Sequence, residues 1–170
     1  MKEQVKQIAI LLGIIAVVVA GLVWLTNGKK PDAPSTAAEV KKNEDLTAKE
    51  SAYDFGTISM SKGKVAKEFL LENKGVNTVL IGEVFTSCMC TEAELKTGDK
   101  TAGPFGMQGH GGGRKANLEV KPGETLTVNA IFDPAAHGPS GVGPIERQII
   151  IFTGADKLPI SLQFKAVVTP

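Results

Sequence analysis

The sequence predicts an all-β domain, built as an antiparallel sandwich and joined to an N-terminal transmembrane helix. Three observations carry that expectation. An apolar run near the N-terminus is uninterrupted by polar side chains, apolar residues recur at every second position after residue 52, and turn signals separate those runs with no helical period between them. A small barrel is the alternative closure for the same strands. The chain has 170 residues, enough for one ordinary domain plus appendages. Its 19 lysines and arginines stand against 18 acidic residues, so no whole-chain field recruits nucleic acid and no such partner is expected.

Residues 1–7 form a short tail. From Ile8 to Leu25 there is no polar or charged side chain, and a helix of about 18 residues is roughly 27 Å long, close to the thickness of a bilayer's hydrocarbon core. Residues 8–26 are therefore read as a transmembrane helix, with the lipid bilayer as its partner. Trp24 stands where an interfacial ring belongs, and Asn27-Gly28-Lys29-Lys30 closes the run. A cleaved signal peptide is the competing reading, but its apolar region is shorter and ends in a small-x-small site, whereas Gly21-Leu22-Val23-Trp24-Leu25 stays apolar. No cysteine lies near the end of the run, so lipoprotein-type processing is unsupported. Lys2, Lys6 and the α-amine nearly balance Lys29, Lys30, Lys41 and Lys42 across the span. Because a short N-terminal tail usually stays in the cytoplasm, the C-terminal domain is expected outside it.

Residues 27–51 carry Pro31, Pro34, small residues and mixed charges, with no aromatic ring. Such a stretch buries too little surface to offset its ordering entropy and reads as a flexible linker, with at most a helical turn or two between Ala37 and Lys49. The folded domain is expected over residues 52–170. Leu126, Val128, Ala130 and Phe132 form one dry face, and Ile160, Leu162, Phe164 and Ala166 another. Val65 to Glu72, Thr78 to Thr86 and Ile145 to Thr153 are less regular strands, and Gly82 marks a bulge. Asn73-Lys74-Gly75, Lys121-Pro122-Gly123-Glu124 and Thr153-Gly154-Ala155-Asp156 supply turns.

The ordered set Tyr53-Asp54-Phe55-Gly56, Phe69-Leu70-Leu71-Glu72-Asn73-Lys74-Gly75, Thr86-Ser87-Cys88-Met89-Cys90-Thr91, Lys121-Pro122-Gly123-Glu124 and Ala130-Ile131-Phe132-Asp133 resembles the bacterial family known as domain of unknown function 1573. The resemblance runs from about Tyr53 to Val168. It implies an immunoglobulin-like sandwich, similar to the Ig-like domains of cilia-associated and periplasmic-chaperone type proteins, and it implies export or membrane tethering. It implies no activity. The chain departs from the family pattern at Met89, where glycine is usual, and in the long segment from Lys96 to Asn117.

Both cysteines lie in Ser87-Cys88-Met89-Cys90-Thr91, directly after a strand. If that segment stays extended, the two sulfurs leave one face with Met89 opposed. The long segment sets Met107 and His110 among glycines, and the second histidine, His137, lies in another glycine-rich connection. With strands alternating in direction, these loops and the cysteines meet at one end of the sandwich, provided the long segment adds an even number of strands. Thiolate, thioether and imidazole suit soft metals, so Cys88, Cys90, Met107, His110 and His137 form a candidate copper-binding set. Three other readings of the cysteines stay open. They oxidise to a tight disulfide, they pack as buried thiols, or they do redox work, the last disfavoured because no neighbouring basic residue is evident. Glu92 and Glu94 read as solvated surface. No hydrolase elbow, phosphate loop, dinucleotide fingerprint or zinc-protease helix is present, so no enzyme is expected. The sequence thus points to a membrane-anchored extracytoplasmic interaction or structural module with a possible protein partner at its loop end; a copper-binding protein is the alternative.

Overall fold

The computed structural model describes residues 45–110, 115–154 and 158–170. The expected tail, the expected transmembrane helix over 8–26 and the linker as far as residue 44 lie outside the described residues. Among those described, no helix is long and apolar enough to cross a membrane. The strands, in chain order, are β1 (Leu46–Ala48), β2 (Ala52–Ser59), β3 (Val65–Asn73), β4 (Val79–Thr86), β5 (Thr91–Thr97), β6 (Lys100–Phe105), β7 (Lys115–Val120), β8 (Thr125–Phe132), β9 (Gly143–Thr153) and β10 (Leu158–Thr169).

They form two five-stranded sheets, ordered β1-β3-β8-β5-β6 and β2-β10-β9-β4-β7. The architecture is a two-sheet sandwich, as expected, and not a barrel. The two-residue alternation has the cause the sequence suggested: Leu126, Val128, Ala130 and Phe132 of β8 are all buried, as are Leu162, Phe164 and Ala166 of β10. Ile149 and Ile151 of β9 complete the facing layer, and the rings of Phe132 and Phe164 meet with centroids 5.5 Å apart. Each fully buried side chain of this size contributes about 1.5–3 kcal/mol through removal of apolar surface from water.

Gly82 is a bulge, with register shifts on both of its neighbours between Ile81 and residues 83–84. A β-carbon there would stand 3.3 Å from the Phe152 carbonyl oxygen, which is why glycine fits this close strand approach. The expected turn at Asn73 is held by its buried side chain. Its amide nitrogen donates to the carbonyls of Asn77 and Val120 at 2.8 Å each, and its side-chain oxygen accepts from the Gly75 N–H at 3.0 Å.

Three expectations need correction. The sandwich is not wholly antiparallel, because β2 runs parallel to β10. The chain leaves the first sheet after β1, crosses at residues 49–51, and joins the open edge of β10 in the same direction; the Gln163 N–H donates to the Ser51 carbonyl at 2.8 Å where it arrives. The stretch 27–51 is not linker throughout. Leu46, a lone large apolar side chain in polar surroundings, is 2% exposed, and β1 pairs with β3, so ordered structure starts before residue 52 and is extended where a helical turn was considered. The segment after the cysteines is not one long loop either. β5 and β6 form a hairpin within it, because Ala93 and Leu95 alternate with charged residues and bury, with Phe105, against the core.

That hairpin adds an even number of strands, so direction is preserved. β3 and β5 run antiparallel to β8, and β7 and β9 run antiparallel to β4. The ends of β4, β6 and β8 and the starts of β5, β7 and β9 consequently share one pole of the sandwich.

Candidate functional site

The segment between β4 and β5 is a turn and not the continued strand expected. The Thr91 N–H donates to the Cys88 carbonyl at 3.1 Å, closing a four-residue reversal. The buried Thr86 hydroxyl lies 2.9 Å from the carbonyl oxygens of both Cys88 and Thr91, its one proton shared between them, and so fixes the reversal from beneath. From the sides, the Ser87 N–H donates to the Gln148 carbonyl at 2.9 Å, the Gln148 N–H donates to Ser87 Oγ at 2.9 Å, and the Asp133 N–H donates to the Cys90 carbonyl at 2.9 Å. This backbone is tied to β9 and to the loop after β8 by hydrogen bonds that involve neither sulfur.

Within the turn, Cys88 and Cys90 form a disulfide across one residue, with Cα atoms 5.3 Å apart. Of the readings left open, this one is realised. Cys88 is half-buried and Cys90 is 2% exposed, while Met89 points outward at 52%. The expected opposition of Met89 to the sulfurs therefore holds, although a turn and not an extended strand produces it.

The expectation that no basic group adjoins the cysteines is overturned. His137 Nε2 lies 3.1 Å from Cys88 Sγ, and Arg147 Nε donates to Cys90 Sγ at 3.1 Å. His137 is exposed and is placed by the loop after β8. There Asp133 Oδ1 accepts from the Ala135 N–H at 2.9 Å, and the Ser140 hydroxyl donates to the His137 carbonyl at 2.7 Å. Arg147 lies in β9 in phase with Ile149 and Ile151, so the pleat sends it toward the interior side. Partial burial lowers its guanidinium from the ordinary value, yet arginine stays charged in proteins. Among the described residues it makes no ion pair with a carboxylate; its Nη1 donates to the Glu146 carbonyl at 2.8 Å. Sequence reading missed Arg147, although a cation at an inward position of β9 was a visible signal.

The convergence inferred from strand direction is thus partly realised. Cys88, Cys90 and His137 offer three ligand atoms all within 4.8 Å of one another. Met107 is held beside this turn, since the Thr86 N–H donates to the Gly106 carbonyl at 3.1 Å and Thr86 bridges Met107 in parallel. His110 is not part of this cluster; Met107 and His110 are found together elsewhere at the same pole. They line a neighbouring cavity of about 300 Å³ together with Met89, Glu92 and Phe105. A second cavity, of about 140 Å³, shares Met89 and Glu92 in its lining, together with Lys64, Cys90 and Asp133 among others. Glu92 and Glu94 alternate with buried Ala93 and Leu95 along β5, so their carboxylates lie on its outward face.

Comparison with known proteins agrees with this fold. Residues 46–104 match the family model described as "Protein of unknown function (DUF1573)", which bears out over that span the resemblance seen in the motifs. The match includes both cysteines and ends before His137 and Arg147. A protein of unknown function from Porphyromonas gingivalis W83 is similar in structure at TM-score 0.52 and 17% identity, over 72% of this chain and 46% of that one. The VesB protease of Vibrio cholerae gives TM-score 0.49 and 13% identity over 76% of this chain and 34% of the protease. The PapD-like domain 7 of human CEP192 gives TM-score 0.46 and 12% identity over 74% and 85%. This chain spans less than half the length of the first two. No curated protein matches it.

Proposed function

We propose, taking the Ig-like sandwich as the premise, that this chain is a membrane-tethered module, held outside the cytoplasm by residues 8–26, that binds a partner through the pole bearing Cys88, Cys90 and His137. The observation that supports this reading is the gathering of the cysteine pair and an exposed histidine at one end of a two-sheet sandwich. Met89, half exposed, lines two cavities there. End loops on a stable scaffold are where recognition is usually placed. A photoreactive residue substituted for Met89 in the full chain, in membranes, is expected to give a discrete adduct that the same residue at Lys121, in the turn at the opposite pole, does not. Equal labelling at both positions, or none at either, contradicts the reading. A reporter fused after Pro170 that works only in the cytoplasm overturns the extracytoplasmic placement.

One observation favours a second reading, a soft-metal site, most naturally for monovalent copper. Thiolate and imidazole donors suit that ion. Metal bonds of about 2.0–2.3 Å bring two donors to within about 4 Å of each other, and Cys88 Sγ and His137 Nε2 are 3.1 Å apart. With the disulfide reduced, Cys88, Cys90 and His137 would hold the ion and Arg147 would offset the charge of two thiolates. Met107 and His110 stand beside this set. Anaerobic titration of the reduced full chain with monovalent copper against a competing chelator tests it. Stoichiometric binding that is lost in the Cys88→Ser/Cys90→Ser double variant supports the site, and affinity unchanged by that substitution removes it.

A further inference from the structure

The Arg147 guanidinium sits half-buried, with no carboxylate partner among the described residues, and its Nε is aimed at a disulfide sulfur 3.1 Å away. Placing a cation out of full contact with water is costly unless an anion compensates it. A neutral disulfide sulfur is a poor acceptor, whereas a thiolate at the same position is the anion that the guanidinium lacks. The other sulfur is equipped differently. Cys88 Sγ is approached by the exposed His137 Nε2 at 3.1 Å and by the Cys90 N–H at 3.4 Å. Cys88 is thus half-buried beside an exposed imidazole, while Cys90 is buried beside a fixed positive charge.

We infer that the Cys88–Cys90 bridge is a thiol–disulfide exchange centre, opened by a dithiol partner at Cys88, with Arg147 as the positioning residue that stabilises Cys90 as the leaving sulfur. A thiolate of the partner attacks Cys88 Sγ. The Cys88–Cys90 bond breaks, and its electron pair leaves on Cys90 Sγ, which remains a thiolate against Arg147. The partner's second thiol gives its proton to solvent and attacks the partner's first sulfur. That closes the partner's own disulfide and expels the Cys88 sulfur, which takes up one proton at the His137 edge. Two electrons pass from the dithiol to the cysteine pair, and of the dithiol's two protons one is matched by that on Cys88 and one stays in solvent. The acceptor of the pair's electrons on re-oxidation is a protein or small-molecule disulfide of the same class. No metal takes part, so this inference is independent of the copper reading.

Preorganisation supports it. The hydrogen bonds from Thr86, Ser87, Gln148 and Asp133 tie the turn down through backbone and hydroxyl groups that the exchange leaves untouched. Opening the bridge therefore does not require the sulfurs to leave Arg147 and His137.

The test uses the full chain in detergent, with a metal chelator present, equilibrated at one neutral pH with glutathione redox buffers and quantified by thiol trapping and mass. The wild type is expected to populate both the bridged and the open form, and Arg147→Gln to shift the equilibrium about tenfold toward the disulfide, which is about 30 mV for this two-electron couple. Arg147→Lys, which keeps the charge, restores most of the shift. Cys90→Ser is expected to trap the glutathione mixed disulfide on Cys88, and Cys88→Ser to trap none on the buried Cys90. A bridge that glutathione never opens in the folded protein overturns the proposal. So does an Arg147→Gln variant that is folded by circular dichroism and has the wild-type equilibrium. If Arg147→Gln does not fold, the trapping pair decides: equal trapping at both cysteines counts against it, and trapping on Cys88 alone supports it.

Discussion

Arg147 Nε donates to Cys90 Sγ at 3.1 Å although the two residues are 57 positions apart in the chain. The contact exists because β9 starts at the pole where β4 ends, and because Arg147 occupies the inward phase of its strand. It gives the cysteine pair an asymmetric electrostatic setting, with a guanidinium on the buried sulfur and an imidazole on the half-buried one.

Opening the bridge should cost little stability. It closes a ring of only three residues, for which the chain-entropy account gives about 1–2 kcal/mol. Denaturant unfolding of the oxidised and reduced protein is expected to differ by that amount with an unchanged slope. A reduced protein that is unfolded in buffer would show that the bridge is structural.

Asn73 should be expensive to truncate. Its amide satisfies two carbonyls and one N–H between β3, β7 and the turn that follows β3. Leaving buried partners unpaired costs about 1–3 kcal/mol, so Asn73→Ala is expected to lower stability by about 2 kcal/mol in thermal or denaturant melts. A change near zero would mean that water takes over those bonds without penalty.

Thr97 presents the opposite case. Its hydroxyl is buried and has no hydrogen-bond partner among the described residues, so the isosteric Thr97→Val removes a desolvated polar group while keeping the branched side chain that suits a strand. The variant should unfold at a denaturant concentration equal to or above the wild type's; a loss of about 1 kcal/mol or more would reveal a partner for that hydroxyl.

Asp54 carries a pH signature. The Gly56 N–H donating to it at 2.8 Å, aided by Lys165, holds its carboxyl below the ordinary value. A depressed carboxyl contributes stability above its unfolded pKa and loses it as pH falls through the folded pKa. An NMR titration should place the Asp54 midpoint below that of an unstructured aspartate, and Asp54→Asn should flatten the acid limb of stability. A midpoint at or above the unstructured value would refute the assignment.

Much of the fold was legible because strand burial has a period of two and is written residue by residue. Leu126 to Phe132 and Leu162 to Ala166 buried the faces their alternation indicated, and Gly82 bulged where the pattern broke. The β5–β6 hairpin is hard to read from sequence because β6 is short and includes Gly103 and Pro104, which read as loop. Strand β1 was missed because a single leucine carries its burial. At the site, strand direction and ligand softness suffice to group Cys88, Cys90 and His137, whereas the position of Met107 and His110 in the lining of the adjoining cavity depends on how their loop folds.

The sequence by itself determined what local periodicity and neighbouring residues dictate: alternating strands, their turns, and two sulfurs separated by one outward methionine. Only the tertiary structure decided that β2 lies parallel to β10, that the sulfurs are joined, and that His137 and Arg147 reach them across 49 and 57 positions. The physical reason is that a strand's pleat sets which way each side chain faces, while the neighbour it meets depends on sheet order and register. Those are fixed by the packing of the whole core, and no local run of residues carries them.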